Sequence, residues 1–125
     1  MNLILDAGAL IAVDRNDLEV AGLIKLARRV GATLITSAPV VGQAWREGSR
    51  QALLARSLAT IEVLPVDEQA ARRAGELLAP TGTVDIVDAL LAMLVAPGDQ
   101  LLTSDPGDLS TLLDARNVRA TIVRV

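Results

Sequence analysis

The sequence predicts an α/β domain, a three-layer α/β/α sandwich around a mainly parallel sheet of about five strands, occupying residues 1–125 as a single domain. Three observations lead there. Short aliphatic or β-branched runs alternate with helical stretches from end to end, the pattern of βαβ units with right-handed crossovers. Half of the 125 residues are hydrophobic, almost all of them Ala, Val, Leu and Ile, with one Trp and no Phe or Tyr, which suits a sheet covered on both faces. No repeat, linker or low-complexity segment divides the chain.

The elements follow in order. Asn2–Leu5 reads as a short buried strand, and Asp6 opens a helix over Ala7–Val13. Asn16 or Asp17 caps a second helix, Leu18 to Arg29, whose Leu23, Leu26, Ala27 and Val30 form an apolar stripe and which Gly31 ends. Thr33–Thr36 is a β-branched second strand. Ser37 can cap the next helix and Pro39 suits its first turn. That helix runs over Val40–Arg46, Gly48-Ser49 breaks or kinks it, and Arg50–Leu58 adds a further turn or two. Ile61–Val63 is a third strand. Asp67 caps Glu68–Ala79, with Ala70, Ala74, Leu77 and Leu78 inward. After the connection Pro80-Thr81-Gly82, Thr83 or Asp85 starts an apolar helix to about Val95, ended by Pro97-Gly98. Gln100–Thr103 is the fourth strand, Asp105-Pro106 starts a helix to about Ala115, and Ala120–Val123 is the last strand.

Composition excludes several chemistries. Cysteine and histidine are both absent. There is no disulfide, no thiol nucleophile, no zinc or haem ligation by the usual donors, and no histidine acid–base catalysis. Catalysis must use carboxylates, hydroxyls, Arg, Lys25 or a cation held by oxygen. The net charge of −3 argues against nucleic-acid binding by bulk charge. Of the twelve basic residues all but Lys25 are arginine, able to make bidentate contacts with phosphate. The N-terminus carries no export signal, and the longest apolar run, Ala89–Ala96, falls far short of the roughly 20 residues of a membrane helix. A soluble, cytoplasmic protein without membrane contact is expected. A nucleotide-binding fold is disfavoured because no Gly-rich loop follows the first strand.

Three segments hold aspartates where a strand ends or a helix begins: LILDAGAL (3–10), VDIVDALLA (84–92) and LLTSDPGDL (101–109). In a parallel sheet, ligands bind beyond the carboxyl ends of the strands, where Asp6 and Asp105 fall. Each acid also has a purely structural use. Asp6, Asp85 and Asp105 can cap helices, and Asp88 suits a first helical turn. Together, Asp6, Asp88 and Asp105 would repel one another unless protons or a hard cation offset the charge. Mg²⁺ or Mn²⁺ is the natural occupant of such an oxygen set, and its chemistry needs no histidine.

On LILDAGALIA, the DALLA segment and LLTSDPGDL, in that order and spacing, the chain resembles the PIN-domain ribonucleases. It is similar specifically to the VapC-like toxins of type II toxin–antitoxin pairs, over essentially its whole length. The resemblance implies that Asp6, Asp88 and Asp105 hold Mg²⁺ or Mn²⁺, with Asp85 as an accessory acid and Thr103 as a hydroxyl orienting a carboxylate or binding phosphate. It also implies an RNA substrate, a cognate antitoxin and a homodimer. One position departs from the pattern. Where the family carries a glutamate in the helix after the second strand, VVGQAW places Gln43, which is neutral and takes no proton. Glu47, four residues on, can substitute only if the helix continues that far; otherwise it pairs with nearby arginines.

Arg46, Arg50 and Arg56, and Arg72-Arg73, can grip RNA phosphates or an antitoxin's acids, or simply form solvated helix faces. Trp45 is expected in the core or a dimer interface. The activity expected is a metal-dependent endoribonuclease, in which a metal-activated water attacks the phosphorus and leaves a 5′-phosphate and a 3′-hydroxyl. Alanine at Asp6 is expected to abolish cleavage and leave the fold intact. Two alternatives stand beside it. One is a catalytically weakened PIN-like domain that only binds partners. The other is a receiver-type signalling module, which would want a second acid at the first strand and a lysine near the last.

Overall fold

The computed structural model describes residues Met1–Val125. Five parallel strands form one sheet in the order β3-β2-β1-β4-β5: β1 (Asn2–Leu5), β2 (Thr33–Ser37), β3 (Glu62–Leu64), β4 (Gln100–Thr103) and β5 (Thr121–Arg124). The helices are α1 (Ala7–Asp14), α2 (Leu18–Arg29), α3 (Ala38–Ala44), α4 (Ala52–Leu58), α5 (Glu68–Leu78), α6 (Ile86–Ala92) and α7 (Pro106–Ala115), with a 3-10 turn at Gly48–Arg50.

The chain first walks outward from β1 to β2 to β3, then returns across the sheet to β4 and β5. Right-handed crossovers therefore send the first helices to one face and the later ones to the other. Contacts follow that division: α1 packs with α2, α3 and α4, and α5 with α6 and α7. The result is the three-layer sandwich the alternation implied. Central strands buried on both faces read as continuous aliphatic runs, and Leu3, Ile4, Leu5, Leu101 and Leu102 are all buried. The edge strands are short and carry Glu62 and Arg124, which discourage pairing with another chain. No helix is long and apolar enough to cross a membrane.

Element boundaries moved where tertiary contacts compete with local pattern. Helix α3 ends at Ala44 rather than Arg46, because the amide of buried Gln51 draws the chain away. Its Oε1 accepts from the backbone N–H groups of Arg46 (2.8 Å) and Glu47 (2.9 Å), and its Nε2 donates to the Ala44 carbonyl (3.0 Å). Helix α6 ends at Ala92, short of Val95, and tightens into 3-10 bonds from Leu94 to Leu91 and Val95 to Ala92. Arg116 Nη1 donates to the carbonyls of Ala92 (2.6 Å) and Val95 (2.7 Å) at this helix end. Strands β3 and β5 each begin one residue later than the residue pattern suggests, at Glu62 and Thr121. Trp45 is neither core nor wholly free. It is 39% exposed, with its ring lying where a Cβ on Gly48 would be.

Asp99 is buried at the opposite end of the sheet from Asp6 and Asp105. Its two oxygens accept from the N–H groups of Asn2 and Ala96, both at 2.8 Å. It thereby ties the start of β1 to the turn before β4. Asp99→Ala removes the acceptor of both part-buried bonds and is expected to lower unfolding free energy by about 1–2 kcal/mol in chemical denaturation.

Candidate functional site

Strands β1 and β4 are neighbours, but their connections leave in opposite directions. The crevice at their carboxyl ends is the topological switch point of the sheet, where such folds bind ligands. Asp6 follows β1 directly, and its N–H extends the ladder to the Leu102 carbonyl at 3.1 Å. Buried Asp6 is the N-cap of α1: Oδ1 accepts from Ala9 N–H at 2.9 Å. Oδ2 accepts from the Thr103 hydroxyl and from Ser104 N–H at 3.1 Å. The Thr103 hydroxyl in turn accepts from Asp105 N–H at 2.9 Å. One chain of hydrogen bonds thus runs from the end of β1 through the end of β4 to Asp105, the residue just before the next helix. It fixes Asp6 and sets the position of Asp105.

Gly8 permits this close approach. A Cβ there would lie 2.6 Å from Ser104 Cβ and 3.2 Å from Asp6 Oδ1. Gly8→Ala is expected to destabilise the protein by about 1–3 kcal/mol, as overpacking does, with the loss read in a denaturant titration.

The remaining acids come from two helix starts with one spacing. Asp85-Ile86-Val87-Asp88 opens α6 and Asp105-Pro106-Gly107-Asp108 opens α7, so each pair presents both carboxylates on one turn. Asp85 is a true N-cap, its Oδ1 accepting from the N–H groups of Val87 (2.9 Å) and Asp88 (3.1 Å). Asp105 occupies the N-cap position of α7 without making a capping bond, so its carboxylate has no structural partner there. Asp88, Asp105 and Asp108 each offer an oxygen, and these oxygens lie within 4.8 Å of one another. No arginine or lysine pairs with any of them, since the two ion pairs of the protein, Arg50–Glu47 and Arg72–Glu68, lie elsewhere.

The electrostatic consequence falls on Asp88. Burial, then the charges of Asp85, Asp105, Asp6 and Asp108, push its carboxyl up to about 7 from 3.8. The Asp105 charge, together with a hydrogen bond to that carboxyl, raises Asp108 as well. Coordinating bonds of about 2.0–2.6 Å put oxygens on opposite sides of Mg²⁺, Mn²⁺ or Ca²⁺ up to 5 Å apart. The spacing of the three acids therefore fits one hard divalent cation, which would offset their charge.

The positions named from the sequence divide. Asp6, Thr103, Asp105, Asp88 and Asp85 lie around one crevice. Asp108 joins them there, and the signal for it in the sequence is its spacing of three from Asp105, which repeats that of Asp85 and Asp88. Gln43 is exposed on α3 and lines a polar groove with Asp14, the last residue of α1, and Arg15, its C-cap. Glu47 lies beyond the end of α3, exposed, with its carboxylate 3.5 Å from Arg50 Nε. The continuous helix that would let Glu47 reach back to replace Gln43 does not form, because Gln51 holds the 45–47 backbone in another direction. Arg72 pairs at 2.8 Å with Glu68 on the exposed face of α5, a pair worth little to stability.

No protein-family model matches the sequence, and no curated protein matches it. Among solved structures, the chain is similar to one in the crystal structure of VapBC2 from Rickettsia felis bound to a DNA fragment from their promoter. The TM-score is 0.65 at 13% identity, over 100% of this chain and 99% of that one. At that identity the likeness is one of fold: the chain shares with that structure a three-layer sandwich of five parallel strands between two helical layers.

Proposed function

We propose that the protein is a Mg²⁺- or Mn²⁺-dependent endoribonuclease that acts as the toxin of a toxin–antitoxin pair. The observation that carries this reading is the convergence of Asp88, Asp105 and Asp108 at the switch point, unpaired with any cation of the protein. The VapC-like fold and the similarity to a chain of a VapBC2 structure support it.

Asp88, Asp105 and Asp108 would hold the ion, with Asp6 and Asp85 beside them. A cation held by these acids would supply charge neutralisation at a phosphoryl oxygen and a lowered pKa for water. The residues of the chain do the rest. Asp6 is held rigid by three donors, so its charge sits at a fixed point beside the reacting phosphate. Thr103 orients Asp6 and, through its bond from Asp105 N–H, the start of α7. Asp88, raised to about 7 by burial and the neighbouring acids when no ion is bound, would give up its proton as the ion binds. The products expected are a 5′-phosphate and a 3′-hydroxyl. A cognate antitoxin and a homodimer belong to the same reading.

The test is cleavage of a mixed, structured RNA pool by the purified protein in Mg²⁺, in Mn²⁺ and with chelator. Metal-dependent cutting is the expected result; a folded protein that binds the ion and cuts no RNA would favour a second reading, a partner-binding domain with weakened catalysis. That reading has one specific observation behind it: Gln43 brings no carboxylate, and Glu47 does not replace it.

A further inference from the structure

We infer that the groove between the C-terminal half of α1, the end of α3 and the 3-10 turn is a binding track for the RNA backbone, with Arg15 and Arg46 gripping phosphates and Gln43 lying along it as a substrate contact rather than a metal ligand. This rests on the nuclease reading above and extends it to a second locus.

The groove encloses about 430 Å³ and carries Arg15, Arg46 and Arg50 on its walls. Its acids are already engaged: Glu47 with Arg50 at 3.5 Å, and Asp14 as the acceptor of Gln51 Nε2 at 3.2 Å. Arg15 and Arg46 have no carboxylate partner. Arg46 is also pre-set. Its Nη1 donates to the carbonyls of Gly42 (2.8 Å) and Trp45 (2.9 Å), which orients the guanidinium and leaves its Nη2 and Nε donors free. Buried Gln51 makes the wall rigid by holding Arg46 N–H, Glu47 N–H, the Ala44 carbonyl and Asp14 together. A site ordered before binding loses less entropy when a ligand arrives.

Position along the fold gives the groove its partner. Asp6 is the N-cap of α1 and Arg15 its C-cap, so the eight helical residues between them set them about 13–14 Å apart along the axis. A strand whose phosphate sits on the acids can reach the arginines with its neighbouring nucleotides. The protein as a whole is acidic, so binding a polyanion requires cations concentrated beside the acid cluster. Gln43 fits this assignment. In an arginine-lined groove a neutral amide offers donors and an acceptor to sugar and phosphate, where a carboxylate would repel them.

The two roles for Gln43 predict opposite signs. The probe is a short fluorescent single-stranded RNA of mixed sequence, titrated with Ca²⁺ in place of Mg²⁺ so that binding is read apart from cleavage. Metal affinity is measured separately by calorimetry. Arg15→Ala and Arg46→Ala are each expected to weaken RNA binding about fivefold, and to lower the slope of log affinity against log salt by about one. Gln43→Glu is expected to weaken RNA binding with metal affinity unchanged. Arg72→Ala is the control and changes neither. Melting curves confirm that each variant is folded; Arg15, exposed at a helix end, is the variant least able to disturb folding. Equal RNA binding by wild type and both arginine variants overturns the groove and leaves the metal site standing. Higher metal affinity and faster cleavage in Gln43→Glu overturns it in favour of a metal role. Loss of binding to polyglutamate, without loss of RNA binding, overturns it in favour of an acidic protein partner. No RNA binding by the wild type, with Mg²⁺-dependent cleavage also absent, overturns the groove together with the nuclease reading.

Discussion

Asp6→Asn is expected to reduce RNA cleavage about a thousandfold, which corresponds to ~4 kcal/mol in the barrier. The side chain keeps its size but loses the charge beside the reacting phosphate. The same change also touches the fold. Asp6 accepts from Ala9 N–H, Ser104 N–H and the Thr103 hydroxyl, and an amide turns one acceptor into a donor facing donors. A loss of about 1–3 kcal/mol in stability should accompany the loss of activity. Asp6→Ala removes every acceptor and is expected to be the less stable of the two. This departs from the expectation that alanine there leaves the fold intact. Cleavage assayed well below each variant's melting temperature separates the effects. Full activity in a folded Asp6→Asn protein would end the assignment of this crevice as the catalytic site.

The second large effect is in the pH dependence of stability without metal. The Asp88 carboxyl holds its proton more tightly in the folded protein, about 7 against 3.8. Its stabilising contribution is therefore present in full below pH 3.8, where both states are protonated. It is lost as pH rises from there to about 7, where the unfolded chain ionises freely and the folded one resists. Asp88 is half exposed, so solvent screens the repulsion and the loss is on the order of 1–2 kcal/mol. Saturating Mg²⁺ should reverse it, because a cation binding only the folded, ionised cluster stabilises by mass action. Melting curves from pH 4.5 to 8.5 are expected to show a metal-induced rise in Tm that grows with pH. Asp88→Asn should flatten the metal-free profile and remove most of the Mg²⁺ effect. Identical profiles with and without Mg²⁺ would show that the acids do not bind the ion.

Much of the fold was legible because the elements are short, strongly patterned and punctuated by residues with one mechanical meaning. Asp17, Ser37, Asp67 and Asp85 cap the helices they were expected to cap, each accepting from the N–H two or three residues on. Strands β1 and β4 have the bounds read from the sequence, since an aliphatic run ending in a polar residue leaves little choice. Misplaced boundaries lie where a distant side chain takes over a helix end. Gln51 does so for α3 and Arg116 for α6, and neither contact has a local signature.

The site divides the same way. Sequence alone determined the chemistry available: no histidine, no cysteine, and aspartates at the carboxyl ends of apolar strands. Spacing could have added Asp108, since DIVD and DPGD repeat one motif. Only the tertiary structure decided which acids share a crevice, because the meeting of α6 and α7 starts depends on a crossover that returns across the sheet from β3 to β4. It also decided that Asp105 caps nothing and that Asp88 holds its proton to near neutrality. Finally, it set Gln43 and Glu47 together along an arginine-lined groove. Those are properties of burial and mutual distance, which a linear order of residues does not contain.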